Sequence, residues 1–172
     1  MKRLMTIAAV CAALCAGLST QTQVAAQTTS KDKAAIEAAV ARYRKAFEAK
    51  DVNAVMANYA TGAGLFVFDA IPPRDYPSSD AYKKDWEGLF KAFPGPLRDE
   101  VSDMDITVVG PVAYSHRIET THFTEANGAS QEYVLRVTDV YRKMHGKWLV
   151  VQEHVSFPVD LMTGKADLLS KP

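Results

Sequence analysis

Cysteine is scarce in this chain, and its absence from most of the sequence excludes two kinds of chemistry. Only two of the 172 residues are cysteines, Cys11 and Cys15, and both lie within the first 26 residues. From residue 27 onward the sequence has no thiol. This part of the chain therefore forms no disulfide bond and uses no thiol in catalysis.

An excess of charge of one sign is also missing. The chain has 20 Lys and Arg residues and 20 Asp and Glu residues, which gives a formal net charge of zero at pH 7. No stretch of the sequence concentrates the basic residues. Because nucleic-acid-binding surfaces need clustered Lys and Arg side chains, the sequence predicts no nucleic-acid partner.

The common motifs of nucleophilic, phosphate-binding and metal sites are absent as well. There is no G-x-S-x-G, no glycine-rich phosphate loop and no H-E-x-x-H, which argues against a hydrolase triad, an NTPase and a metalloprotease. His116 and His122 share a predicted strand face, but six residues separate them by about 20 Å. That is too far for one metal ion, so we predict neither a metal nor a cofactor.

Long hydrophobic runs are missing except at the N-terminus. There, Lys2 and Arg3 precede an apolar run over residues 4–18, and small residues occupy positions 24–26. This order is typical of a secretory signal, with cleavage after Ala26. The run is too short to span a bilayer, and nothing later in the chain is apolar enough to do so.

The sequence thus predicts a cleaved signal peptide over residues 1–26 and a periplasmic or secreted location in a bacterium. Lipidation at Cys15 is disfavoured because a large residue, Leu14, precedes it. Residues 27–172 have the length of one domain with one core. We expect no membrane attachment after cleavage.

Three segments have the apolar spacing of helices. They cover residues 31–49, 52–60 and 80–93. In the first, apolar residues recur every three or four positions: Ile36, Val40, Tyr43 and Phe47. Thr29 and Asp32 resemble a capping box at its start.

The remaining segments have the composition of strands. A short one covers residues 64–70, and four longer ones cover residues 98–109, 112–124, 131–143 and 147–157. Short turns between the four predict antiparallel pairing. The pattern indicates an α+β fold, in which three N-terminal helices pack on a strongly bent, mainly antiparallel sheet. A cone of this kind usually encloses a pocket.

Asp139 is an unusual residue for a strand. It is the first residue of "DVYRKMHGKWLVVQEHVSFP", a predicted hairpin over residues 139–158. By strand alternation it lies on the same face as three residues with apolar or aromatic side chains: Leu135, Val137 and Tyr141. A buried carboxyl requires a partner. The candidates are Arg117, Arg136 and Thr121. A salt-bridged Asp139 would be ionised and could not donate a proton.

The order of elements and two longer stretches resemble a known family. "ARYRKAFEAKDVNAVMANYA" near the front and "RVTDVYRKMHGKWLVVQEHVSFPVD" near the end are similar to the SnoaL-like branch of the nuclear transport factor 2-like superfamily. The resemblance covers nearly all of the chain after residue 26. It implies a cone-shaped α+β barrel, often dimeric through the outer face of its sheet. Members include ketosteroid isomerases, polyketide cyclases and dehydratases, so the fold transfers better than the function.

The ketosteroid isomerase branch implies roles for three residues. That enzyme uses a tyrosine on its first helix, an aspartate base after its first strand and a protonated aspartate on a later strand. Tyr43, Asp69 and Asp139 fall at those places. A carboxylate would move a proton beside a carbonyl while two O–H donors stabilise the enolate oxygen. Tyr43 as a packing residue and Asp69 as a strand-end residue are the alternative interpretations.

Further residues are predicted to line the pocket. They are Trp86, Phe90, Phe66, His116, Val137, Val151 and Val155. If Val151, Glu153 and Val155 form the row that faces the pocket, His154 lies on the outer face. The charged residues of the same strands include Arg117, Glu119, Arg136 and Glu153. If several point inward, the ligand is expected to be polar or absent.

The leading interpretation is an exported homodimeric protein that binds a small organic molecule in a conical pocket. The first alternative is an acid–base enzyme of isomerase, cyclase or dehydratase type, with Asp69 as base and Tyr43 and Asp139 as donors. The second is a non-catalytic structural homodimer whose cavity is filled by side chains.

Overall fold

The computed structural model describes residues 27–170, and the predicted signal peptide lies outside the described residues. The helices are α1 (residues 27–48), α2 (Val52–Met56) and α3 (Ser79–Ala92), with a 3₁₀ turn over Gly62–Gly64. The strands are β1 (Phe66–Phe68), β2 (Leu97–Val109), β3 (Val112–Thr124), β4 (Ser130–Met144) and β5 (Lys147–Ser156). Within residues 27–170, no helix has the length and apolar character needed to cross a membrane.

The five strands form one open sheet in the order β1-β5-β4-β3-β2. The three junctions from β2 to β5 are antiparallel, and β1 joins β5 in parallel. The predicted fold class, three helices on a bent and mainly antiparallel sheet, is confirmed. β1 is shorter than predicted, and the antiparallel bridge from Val67 to Tyr76 occupies its other edge.

Two β-bulges bend the long strands. In β2 the register with β3 shifts between Ser102 and Asp105, where Asp103 has a φ of 51°. In β5 the register with β4 shifts so that Val151 is the extra residue. Bulges add local twist and curvature, and the sheet curves around the helices at these places.

The predicted hairpin between β4 and β5 is also confirmed. Its two turn residues, His145 and Gly146, have φ values of 51° and 78°. Such a left-handed pair gives the type I′ turn whose twist matches the flanking strands. The pairing then runs from Met144 opposite Lys147 to Arg136 opposite Ser156.

Aromatic side chains fill the space between the helices and the sheet. The ring of Phe47 on α1 lies 6.0 Å from that of Trp86 on α3 and 5.8 Å from that of Phe123 on β3. Fully burying a residue of this size contributes about 1.5–3 kcal/mol. The predicted apolar stripe of α1 is therefore the contact that holds the helices on the sheet.

Polar contacts attach α1 to the sheet at one end. The predicted capping box at Thr29 and Asp32 is wrong, because residues 27–30 are already helical. The buried Asp32 carboxylate instead accepts hydrogen bonds from Lys143 Nζ at 2.6 Å and Trp148 Nε1 at 3.1 Å. These contacts join the start of the helix to the β4–β5 hairpin.

Two glycines provide a matched test of packing. A Cβ on Gly95 would lie 2.7 Å from the Thr124 carbonyl oxygen, whereas one on Gly88 of α3 would meet nothing within 4 Å. We expect Gly95→Ala to lower the free energy of unfolding by about 1–3 kcal/mol through overpacking. Gly88→Ala should raise it by about 1 kcal/mol through helix propensity. Urea denaturation checks both values, and equal effects would contradict the close approach at Gly95.

Candidate functional site

A cavity of about 370 Å³ lies between the helices and the concave face of the sheet. Its wall is mainly apolar and aromatic, with contributions from every layer of the fold. Representative lining residues are Phe47 on α1, Trp86 on α3, Val137 on β4 and Val155 on β5. The cavity is large enough for a small organic molecule, and it is not filled by side chains.

The segment after β5 forms part of the cavity wall. Val159 and Ala166 form an isolated antiparallel bridge, and the Leu168 carbonyl oxygen accepts a hydrogen bond of 2.8 Å from Val134 N–H. Ala166 and Leu168 both face the cavity. Because the chain turns back here, a segment without helical or strand periodicity contributes to the wall.

Asp69 lies on the cavity wall directly after β1, as the resemblance implied. The carboxyl is half-buried and accepts a hydrogen bond of 2.5 Å from Ala70 N–H. Burial raises its pKa to about 6; the Ala70 N–H and the Tyr82 hydroxyl lower the pKa, while Asp85 raises it. Such a carboxyl is ionised at neutral pH and is a stronger base than an exposed aspartate.

Glu153 of β5 is a second carboxyl on the wall, and it is buried. Its oxygens accept hydrogen bonds from the Tyr59 hydroxyl at 3.0 Å and the Tyr82 hydroxyl at 2.8 Å. Burial, followed by the charge of Asp139, raises the pKa of Glu153 well above its ordinary value. This shift favours the neutral form of Glu153, whose O–H can donate a hydrogen bond.

The Tyr82 hydroxyl lies near both carboxyls. It donates its proton to Glu153 at 2.8 Å, and it lowers the pKa of Asp69. Burial is the largest cause that raises the pKa of Tyr82 well above its ordinary value, so the hydroxyl keeps its proton. Asp69, Glu153 and Tyr82 therefore line the same cavity.

Tyr43 lines the cavity where the resemblance placed it. Its ring lies 6.0 Å from that of Trp86 in an edge-on contact. Burial, with the charges of Glu119 and Glu153, raises the pKa of its hydroxyl well above the ordinary value. Tyr43 therefore combines the predicted packing role with a protonated hydroxyl on the cavity wall.

Asp139 is not on this wall, so the predicted group of three residues does not converge. Its buried Oδ2 pairs with Arg117 Nη1 and accepts a hydrogen bond of 2.7 Å from the Tyr141 hydroxyl. Asp139 lines an adjoining hollow of about 20 Å³, and Tyr43 and Glu153 line both this hollow and the main cavity. Of the predicted partners of Asp139, Arg117 is the one that forms the ion pair.

Arg117 stabilises two carboxylates at once. Its Nε also lies 2.6 Å from Glu119 Oε1. Burial alone would lower the pKa of Arg117, but Asp139 and Glu119 raise it well above its ordinary value. Asp139 is directly opposite Glu153 in the β4–β5 ladder. Because like charges opposite each other are unfavourable and Asp139 has the cation, Glu153 is the carboxyl that stays neutral.

The predicted lining residues divide into two groups. Trp86, Val137 and Val155 line the cavity. Phe90 instead packs in the core against Trp86. Phe66 points outward because side chains alternate along β1 and its neighbour Val67 points inward. His116 is exposed on the outer face because its neighbour on β3, Arg117, points inward. Val151 leaves the inward row because it is the bulged residue.

The outer face of the sheet carries the residues between these inward rows. His154 is exposed there, with its ring 5.7 Å from that of Phe68. Arg136 also points outward and donates to the Phe157 carbonyl oxygen at 3.0 Å. Arg117, Glu119 and Glu153, which also lie on these strands, are all buried.

Sequence reasoning did not assign roles to Glu153 and Tyr82. Two signals pointed to them: Glu153 alternates with Val155 in the row expected to face the pocket, and Tyr82 lies four residues before Trp86 on the apolar face of α3. Within residues 27–170, no three His, Cys, Asp or Glu side chains are grouped so as to hold a metal ion.

Comparison with known proteins relates the fold to solved structures. An NTF2-like protein of unknown function from Pseudomonas putida KT2440 is 28% identical, with a TM-score of 0.75 over 84% of this chain and 99% of that chain. A putative dehydratase from Streptomyces avermitilis is 14% identical, with a TM-score of 0.68 over 74% of this chain and 97% of that one.

A ketosteroid isomerase-like protein from Erwinia carotovora atroseptica is 21% identical, with a TM-score of 0.60 over 72% of this chain and 93% of that one. The last two likenesses concern the fold alone. No curated protein matches this chain. The profile of the SnoaL-like domain family, however, matches residues 36–160. The chain therefore belongs to the SnoaL-like domain family, within the nuclear transport factor 2-like superfamily.

Proposed function

We propose that this protein binds a small, mainly apolar organic molecule in its cavity and transfers a proton on it. Asp69 is the general base, and Glu153 is the acid that faces the developing negative charge. The observation that carries this proposal is the pairing of an ionisable Asp69, with a pKa of about 6, and a neutral Glu153 on one apolar wall.

The reaction this pair suits is proton removal beside a carbonyl group. Asp69 takes the proton from carbon, the electron pair moves to the carbonyl oxygen, and the Glu153 O–H stabilises that oxygen. The Tyr82 hydroxyl orients Glu153 with its hydrogen bond of 2.8 Å, and the Ala70 N–H orients Asp69. Isomerisation, cyclisation and elimination all begin with such a step.

The buried charges do not make the cavity generally polar. Two ion pairs join Arg117 to Glu119 and Asp139. Most of the cavity wall is apolar or aromatic, and the raised pKa of Glu153 favours an O–H donor on that wall. A ligand with an apolar body and one accepting oxygen suits this combination. Two of the structurally similar proteins are described as a putative dehydratase and a ketosteroid isomerase-like protein. Both descriptions agree with this class of reaction.

We also propose that the protein is exported and forms a homodimer through the outer face of the sheet. Phe66, Phe68 and Tyr114 are 37%, 36% and 49% exposed on that face, where a second copy would cover them. Tyr114→Glu should dissociate the dimer because it introduces a charge into an apolar contact. Light scattering after gel filtration measures this, and a wild type that is already monomeric would contradict the proposed dimer.

A general base in an apolar cavity can be tested without the natural substrate. We expect the protein to open the ring of 5-nitrobenzisoxazole by removing its C–H proton, with a rate that rises with pH through about 6 as Asp69 ionises. Asp69→Asn should slow the reaction by about 100-fold or more, the usual contribution of a general base. Absorbance of the phenolate product measures the rate.

The control is Glu87→Gln, which removes an exposed carboxyl from α3. Its rate and pH profile should match those of the wild type. A wild-type protein no faster than Asp69→Asn would contradict the assignment of the base.

The raised pKa of Glu153 leads to a separate prediction about how the free energy of unfolding depends on pH. Because its folded-state pKa is raised, its contribution to stability is complete below its unfolded pKa and is lost as the pH rises. Asp69 acts in the same direction up to about pH 6. We expect the free energy of unfolding to fall between about pH 5 and pH 8, with Glu153 contributing at most about 1.4 kcal/mol per pH unit.

Glu153→Gln should reduce that slope, because glutamine stays neutral and still accepts the Tyr59 and Tyr82 hydrogen bonds. Urea denaturation at several pH values measures the slope, with Glu87→Gln as control. If Glu153→Gln and the wild type have the same slope, Glu153 is ionised in the folded protein and cannot be the acid.

A further inference from the structure

We propose that the natural ligand of the cavity is an organic cation, in which an apolar or aromatic body carries a positively charged nitrogen. This inference rests on the ligand-binding part of the proposed function. It extends that function by specifying the charge of the ligand, which the fold alone does not indicate.

The first argument is the distribution of charge on the cavity wall. Four carboxyl groups line it, each from a different element: Asp69 after β1, Asp85 on α3, Glu119 on β3 and Glu153 on β5. Among residues 27–170, no Lys, Arg or His side chain belongs to the lining. Glu119 is paired with Arg117 and Glu153 is proposed to be neutral, so Asp69 and Asp85 are the two carboxyls that would repel an anionic ligand.

The second argument is that the protein supplies too few counter-charges. Arg117 is buried beside the cavity, but Glu119 and Asp139 already pair with it. In the described part of the chain, no Lys or Arg nitrogen lies within ion-pair distance of Asp69 or Asp85. Asp85 accepts a hydrogen bond of 2.7 Å from the Tyr76 hydroxyl, which is not a cation. A ligand cation would provide the missing charge.

The third argument comes from the neutral part of the wall. The rings of Tyr43, Phe47, Trp86 and Phe123 face the cavity, and the faces of aromatic rings attract cations. The neutral part of the wall therefore also favours a positively charged ligand.

A cationic nitrogen also agrees with Asp69 as base. A positive charge next to a carbon acidifies its C–H, because the electron pair left after deprotonation is stabilised by that charge. The groups that face Asp69 are Asp85 and Tyr82 on α3, Tyr76 at the edge of β1 and, through Tyr82, Glu153 on β5. None of them is a cation, so the ligand is the component that would supply one.

The test compares three probes with one naphthalene skeleton: (1-naphthylmethyl)trimethylammonium, 1-naphthalenemethanol and 1-naphthoate. Titration calorimetry at about pH 8, where Asp69 is ionised, measures their affinities for the full-length protein. We expect the cation to bind about tenfold more tightly than the alcohol and the carboxylate to bind most weakly. The advantage of the cation should shrink as the pH falls through about 6.

Two variants test whether the preference for the cation depends on Asp69. Asp69→Asn should bind the alcohol like the wild type but lose most of the preference for the cation, and Glu87→Gln should keep it. If the alcohol binds as tightly as the cation at about pH 8, the inference about charge is overturned and the binding function stands. If no probe binds even at about millimolar concentration, the inference and the proposed binding function both fail.

Discussion

The ion pair between Arg117 and Asp139 determines the electrostatics of the whole interior. Three carboxyls, those of Glu119, Asp139 and Glu153, are buried around a single guanidinium. Removing charges from water is expensive unless each has a partner, and one cation cannot neutralise three anions. Arg117 contacts Glu119 and Asp139 directly, so the cost falls on Glu153, whose pKa is raised well above its ordinary value. The position of Arg117 therefore favours the neutral form of Glu153.

This constraint connects the sheet to the site. Because Asp139 and Glu153 are direct cross-strand neighbours, the charge of one sets the state of the other. Glu153 in turn lines the cavity and accepts a hydrogen bond from the Tyr82 hydroxyl. This bond joins β5 to α3, two elements that are distant in sequence. Asp69 lines the same cavity, so the state of Glu153 bears on the surroundings of the proposed base.

Much of the fold was predictable because it depends on local patterns. The spacing of Ile36, Val40, Tyr43 and Phe47 predicts α1 and its buried face, and His145-Gly146 predicts the turn that sets the β4–β5 register. The predictions were wrong where a tertiary contact overrode a local signal. Asp32 resembles a capping residue, yet it bonds to Lys143 and Trp148, which are more than 100 positions away. Val151 was expected to face the cavity, but it is the extra residue of a β-bulge, and no residue type in β5 indicates that bulge.

The site was less predictable, because its chemistry depends on which of several buried carboxyls receives the one available cation. Residue type and position identified Asp69 and Tyr43, and they also named Arg117 as a partner for Asp139. Periodicity alone does not reveal that Arg117 makes this contact. The distances do, and they are the reason that we propose Glu153 on β5, and not Asp139 on β4, as the acid. A resemblance matches residue types position by position, but the protonation of a buried carboxyl depends on the charges beside it, which residue type does not specify.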